Sequence, residues 1–218
     1  MREFIVFARK AWTKPFNLND LASAGRMDVI ARCVSSALFI SYAIRKDTNI
    51  YVSLNGPPNP PVLLKFFGDR LRGVYYDERS VAGKINEALK KIDETEEKKE
   101  IEVSKGFLVS KQSFENFLKK KALERKIVYL HEEGKDIRGI EFSGNEIFVV
   151  GDHKGLPKKT EVFLEKLGAE KVSLGPLSYL ASHCIVIVHN ELDRRGLGSL
   201  TIFSFLNQSI CSRKFSKN

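Results

Sequence analysis

The sequence predicts an α/β fold with a mainly parallel sheet. Short runs rich in Val, Ile and Phe recur along the 218 residues, and between them lie segments whose apolar residues fall at helical spacing. In the last third, strand-like and helix-like runs alternate cleanly. Parallel strands need such crossovers, and alternating elements are how a parallel sheet is written in sequence. A third observation is where the glycines and prolines fall: they cluster just after the strand-like runs, as at Gly151, Gly155, Gly175 and Pro176.

Taken in order, residues 2–8 are rich in Phe, Ile and Val and alternate, so they read as a strand. Pro15, Asn17 and Asn19 mark a loop. Over residues 27–44, Val29, Ile30, Cys33, Val34, Ala37, Leu38 and Ile40 form a helical stripe, with Gly25 before it. Residues 50–54 read as a short strand. The Asn55-Gly56-Pro57-Pro58-Asn59-Pro60-Pro61 segment that follows cannot be helix or central strand. Its four prolines fix φ and remove four N–H donors. Residues 62–67 resume as a strand. Asp77 reads as the N-cap of a helix over 78–92. The run 93–102, DETEEKKEIE, reads as a solvated helix end or surface loop. Residues 113–126 form a second amphipathic pattern. Phe114, Phe117, Leu118 and Leu123 lie on one side, and Lys119, Lys120, Lys121, Arg125 and Lys126 on the other. Strands are expected at 127–130, 147–150 and 171–173, and helices at 160–167 and 178–192. The last helix is apolar on most sides and is expected to be buried.

The bulk numbers bound the function. With 36 Lys and Arg against 27 Asp and Glu, the net charge is +9, which favours polyanionic partners such as nucleic acid. Three cysteines, Cys33, Cys184 and Cys211, make no disulfide framework or zinc motif, so a reducing, cytoplasmic setting is expected. The first residues lack a secretory pattern, and no apolar run reaches the roughly 18–20 residues of a membrane span.

Three strand ends carry unusual chemistry: VYLHEEG, ending a strand at Leu130; VGDHKGLP, around Gly151; and SLGPL, around Gly175. Ligands of α/β sheets sit at such carboxyl ends. Glycine lets a ligand approach the backbone, and proline stiffens the loop around it. None of the three is GxGxxG, and GxxxxGK[ST] is absent, so dinucleotide and P-loop fingerprints are missing. On loop chemistry alone, a cofactor pocket and ordinary αβ turns both remain open.

The ordered blocks VYLHEEG, IFVVGDHKGLP and VSLGPLSYLASHCIVIVHNELD resemble the SPOUT methyltransferases, and within them the archaeal tRNA pseudouridine N1-methyltransferases. GRMDVIARCVSSALFISYAIRKD and YVSLNGPPNPPVLLKFFGDRL resemble the family's two N-terminal blocks. The likeness covers residues 1–195, apart from a charged insert near 93–109. It implies a SPOUT fold as one domain with a deep trefoil knot over about 127–193, one of the rare exceptions to unknotted chains. It implies S-adenosyl-L-methionine bent into that knot and held by Leu130, Gly151, Leu174, Gly175, Pro176, Leu177, Ser178, Tyr179 and Cys184. It further implies a homodimer with the site at the subunit interface, and as substrate the pseudouridine at position 54 of tRNA. The alternatives are a ribosomal RNA pseudouridine N1-methyltransferase and a catalytically silent knotted RNA-binding protein. Residues 196–218, with an apolar run at 200–206, extend past where the family usually stops.

Methylation at N1 requires loss of the N1 proton, assisted by a base or by donors to the uracil carbonyls. Asp152 and Asp28 are weak candidates for the base. Asp152 reads equally as a cap for its own turn, and Asp28 as a first-turn acid or an anchor for Arg26 or Arg32. His153 sits beside the same loop. Cys184 is expected to pack against the cofactor, and His183 and His189 to be satisfied helix residues. For RNA contact, Arg26, Arg32, Arg45, Lys46, Asn55 and Asn59 are the candidates, each also readable as ordinary surface.

Overall fold

The computed structural model describes residues 1–93 and 100–198. Strand β1 (Arg2–Ala8) leads through a long loop to helix α1 (Met27–Leu38), a short hairpin of β2 (Phe39–Ile40) and β3 (Ala43–Ile44), and strand β4 (Thr48–Leu54). Strand β5 (Val62–Phe67) and helix α2 (Glu78–Asp93) follow, then β6 (Ile101–Ser104), β7 (Phe107–Ser110) and α3 (Phe114–Lys121). The last third runs β8 (Lys126–Asp136), β9 (Glu146–Gly151), α4 (Lys158–Lys166), β10 (Glu170–Ser173) and α5 (Ala181–Arg194).

One eight-stranded sheet has the order β10-β8-β9-β1-β4-β5-β7-β6. The first five strands in that order pair in parallel. The remaining three join antiparallel. The expected mainly parallel sheet is therefore a parallel half extended by an antiparallel flank. β1 is central, and its alternation serves two cores. Phe4, Val6 and Ala8 point into the layer with α1, α2 and α5, while Ile5 and Phe7 point into the layer with α3 and α4. Covering both faces is what a parallel sheet requires.

Several boundaries differ from expectation. The helical stripe over 27–44 stops at Leu38. Phe39 turns extended and the Arg45 amide closes on the Leu38 carbonyl. Short apolar spacing does not separate helix from hairpin. The helix expected over 113–126 is capped by Ser113, whose side chain accepts from the Asn116 amide, but it ends at Lys121. β8 must be extended from Lys126 to pair with Glu146, so the chain unwinds first and Leu123 is left 85% exposed rather than packed. The strand expected over 127–130 continues to Asp136. α5 starts at Ala181, because residues 178–180 belong to the preceding loop, and it is not buried all round: Val186 is 48% exposed. The described part of the charged insert includes the β6–β7 hairpin at the sheet edge. Residues 94–99 of that insert, Cys211 and most of the tail, with its apolar run 200–206, lie outside the described residues. Among the described residues no helix is long and apolar enough to cross a membrane.

Candidate active site

The five parallel strands end on the same edge of the sheet, and the loops that leave them meet there. A cavity of about 900 Å³ opens between those loops. That volume suits a cofactor-sized ligand. The three strand ends singled out by their glycines and prolines supply its walls: Leu130 from the first, Gly151 and Asp152 from the second, Leu174, Gly175, Leu177, Ser178 and Tyr179 from the third, with Cys184 from α5. Pro176 lies in the third loop but not on the cavity wall.

Each wall has a local cause. β10 pairs with β8 at Lys171↔Tyr129, then jumps to Val172↔Lys135. The intervening stretch of β8, from Leu130 to Gly134, is thereby released from the ladder and bows toward the cavity. Gly134 is required at its end, since a Cβ there would stand 2.4 Å from the Val172 backbone. In the second loop a Cβ on Gly151 would stand 2.6 Å from the Gly155 carbonyl carbon, so only glycine lets the loop fold back on itself. In the third, Gly175 has φ +130, a conformation only glycine adopts without strain.

The Cys184 thiol is pushed up to about 11 by burial and stays protonated, so it offers packing rather than a nucleophile. Buried Asp152 accepts from the Arg9 amide at 2.7 Å and the Lys154 amide at 2.9 Å. Its two oxygens thus tie the loop after β1 to the loop after β9.

The opposite rim is built from α1. Arg26 is the one described residue other than glycine with positive φ (67°), and it forms the N-cap position of α1. Holding an arginine in that region costs about 1–2 kcal/mol. The strain is offset by Asp28, which accepts two hydrogen bonds of 2.9 Å from the Arg26 guanidinium and one of 2.7 Å from Arg32. Arg32 in turn reaches Glu78 at 3.0 Å. The Arg26 hydrogen bonds, with those of Arg32 and the charge of both guanidinium groups, hold the Asp28 carboxyl down at about 2 against the opposing effect of its burial. A carboxylate of that kind is a poor proton acceptor near neutrality. Asp28 positions Arg26 and Arg32, both of which line the cavity.

The other predicted contacts lie elsewhere. Arg45 is committed to Asp193 at 2.6 Å, near the amino ends of the strands. Lys46 neighbours it in sequence and does not line the cavity. Asn55 turns its amide onto the Ser53 carbonyl at 2.9 Å, closing its own loop. Exposed Asn59 donates its backbone amide to Thr13 Oγ1 at 2.9 Å. His189 is buried, donating to the Ala37 carbonyl and accepting from Arg2, both at 3.0 Å, whereas His183 is exposed and lines the cavity. Sequence reasoning passed over Glu132 and Glu161, which also line the cavity. Glu161 pairs with His131 at 3.7 Å, and Glu132 accepts from the Ser178 hydroxyl. Both acids sit in or one turn after the glycine-bearing loops, and that placement is the signal that could have found them.

Comparison with known proteins gives this geometry a lineage. A family model described as "Putative SAM-dependent RNA methyltransferase" matches residues 1–197. The tRNA (pseudouridine(54)-N(1))-methyltransferase of Methanocella arvoryzae is 47% identical over 197 residues, covering 89% of this chain and 100% of that protein. The enzyme of the same name from Methanocaldococcus jannaschii is 43% identical over 201 residues, covering 89% of this chain and 98% of that one. Among solved structures, Archaeoglobus fulgidus Nep1 bound to S-adenosylhomocysteine superimposes with a TM-score of 0.61 at 15% identity, over 88% of this chain and 97% of that chain, which marks a shared fold. The chain belongs to the family of SAM-dependent RNA methyltransferases that includes these archaeal tRNA (pseudouridine(54)-N(1))-methyltransferases.

Proposed function

We propose that the protein transfers a methyl group from S-adenosyl-L-methionine to N1 of pseudouridine in tRNA, at position 54 as in the named relatives. The observation that carries this reading is the match of 89% of this chain to nearly the whole length of those relatives, in a chain whose three glycine-bearing loops line one cavity. The cavity fits the cofactor chemically. Leu130, Leu174 and Leu177 offer apolar walls, and Glu132, Glu161 and Asp152 offer acceptors for hydroxyls and an ammonium. When bound, the cofactor supplies an electrophilic methyl group on a positive sulfonium.

The chain's own residues do the rest. Arg26 and Arg32, fixed by Asp28, face the cavity as cations beside which a uracil carbonyl gathers charge as N1 loses its proton. Asp28 acts through them rather than as the base. Asp152 is the remaining carboxylate of the two weak candidates, and its amide partners hold it at the wall. Alignment within the cavity supplies most of the acceleration expected of an in-line transfer.

The register break in β8 is what a trefoil knot over about 127–193 asks of this region, because β10 enters the sheet where β8 bows aside. A homodimer is supported by Leu177, Leu180 and Val186, which are 66%, 61% and 48% exposed along the cavity rim and α5. A second copy seated there would close the site.

One assay decides among readings. The protein is incubated with labelled S-adenosylmethionine and, separately, tRNA carrying pseudouridine or uridine at position 54 and ribosomal RNA carrying pseudouridine. Label on the pseudouridine tRNA alone is expected. Equal label on uridine tRNA would sink the N1 chemistry, label on ribosomal RNA alone would favour the ribosomal enzyme, and cofactor binding without label would leave a silent binding protein.

A further inference from the structure

The loop after β1 opens on two adjacent cations that the described ion pairs leave unused, while Lys14 further along it lies over the Trp12 ring. Arg9 and Lys10 are exposed, and among the described residues neither side chain has an ion-pair or hydrogen-bond partner. Other arginines near the fold's ends are committed: Arg2 and Arg45 to Asp193, Arg125 to Glu3, Arg195 to Glu191. The contrast with the backbone is sharp. The Arg9 amide is held by Asp152 at 2.7 Å. The Lys10 carbonyl is clasped by two glycines: a Cβ on Gly25 would stand 1.8 Å from it and one on Gly56 2.3 Å. On either side, Asn55 donates to Ala8 at 2.9 Å and Gly56 to Ala11 at 3.0 Å. The dipeptide is thus fixed in its main chain and free in its side chains. Asp152 also receives the Lys154 amide, and exposed Lys154 lines the cavity without a side-chain partner among the described residues.

We infer that Arg9, Lys10 and Lys154 form a phosphate-binding arc that seats the RNA backbone beside the cavity, with Asp152 as the strut that sets their spacing. This rests on the reading that the substrate is RNA. A locked main chain removes most of the ordering cost of a contact before the ligand arrives, leaving only side-chain freedom to be lost. Three separate cations, Lys154 on the cavity wall and Arg9 and Lys10 on the loop that Asp152 ties to it, suit a repeating phosphodiester, whereas the single carboxylate of the cofactor would need one. They add to a chain whose net charge of +9 already draws polyanions.

The test uses the full chain with S-adenosylhomocysteine present and a tRNA T-arm fragment carrying pseudouridine. Binding is measured by anisotropy from 50 to 200 mM salt for the unaltered protein, Arg9→Gln, Lys10→Gln, Lys154→Gln, the Arg9→Gln/Lys10→Gln pair, and Lys120→Gln as a control on exposed α3 surface. Each rim substitution is expected to weaken binding about five- to tenfold at 0.1 M salt and to flatten the slope of log K against log salt by about 1, the pair by about 2. S-adenosylhomocysteine affinity by calorimetry should be unchanged in Arg9→Gln, Lys10→Gln, their pair and Lys120→Gln, which also shows that they fold; the folding of Lys154→Gln, whose residue lines the cavity, is checked by circular dichroism. Rim variants indistinguishable from Lys120→Gln while the unaltered protein binds would overturn the arc alone. Weakened cofactor binding with RNA affinity intact would overturn it too, assigning the cations to the cofactor. Failure of the unaltered protein to bind the fragment would remove the RNA reading on which the arc rests.

Discussion

At the scale of single residues, two positions translate directly into measurements. Gly151 has no room for a Cβ, because the Gly155 backbone occupies the place at 2.6–2.7 Å. Gly151→Val is expected to open the second loop and lower cofactor affinity at least about a hundredfold, while the rest of the sheet survives in circular dichroism. Unchanged affinity by calorimetry would place the cofactor elsewhere. His189 is held neutral, its pKa pulled down to about 3 by burial and then by Arg45 and Arg2. In the unfolded chain it titrates near 6.5. Between those values the unfolded chain binds a proton that the folded one refuses, so acidification favours unfolding. Stability from this group is full above about pH 6.5 and is lost progressively below it, by an amount on the order of 3–5 kcal/mol. Urea titrations at pH 7 and pH 4.5 should show a steeper loss for the unaltered protein than for His189→Gln; parallel profiles would refute the assignment.

At the scale of elements, α5 is the most informative. One side carries Ile185, Val188 and Leu192 into the core, and another leaves Val186 half exposed; Leu180 of the preceding loop is exposed as well. Val186→Asp costs little in the monomer but places a charge in the proposed contact. Sedimentation at micromolar concentration should give a dimer for the unaltered chain and a monomer for the variant; two identical profiles would remove α5 from the interface. The elements also show what a sequence discloses. The strands were legible because they are rich in Val, Ile and Phe, residue types that suit the fully covered faces of β1 and β9. The three cavity loops were legible through Gly151, Gly175 and Leu130. The β6–β7 hairpin was overlooked because the acidic run before it dominates the pattern, although Lys105-Gly106 between IEVS and FLVS, with Gly106 at φ +78, is a two-residue hairpin signal. The tie between Asp152 and Arg9 was out of reach of local reasoning: its partners stand 143 residues apart.

At the scale of the whole molecule, the cavity draws walls from α1, β8, β9, α4, β10 and α5, so a ligand bound there holds six elements at once. S-adenosylhomocysteine at about a hundred times its Kd is expected to add about 2.7 kcal/mol and raise the Tm by roughly 5–10 °C. No shift, with binding confirmed separately, would mean the ligand reports on a local pocket only. The register break between β8 and β10 sets an order on how such a site comes into being. The bow from Leu130 to Gly134 exists because Val172 lies against Gly134 and skips the residues before it. Its shape is dictated by a strand that the ribosome adds some forty residues later. A nascent chain halted before Val172 owns the first two loops but not the geometry of the first. A chain that stops there lacks the strand that shapes the first wall, so the cavity as described takes form only once β10 is in place.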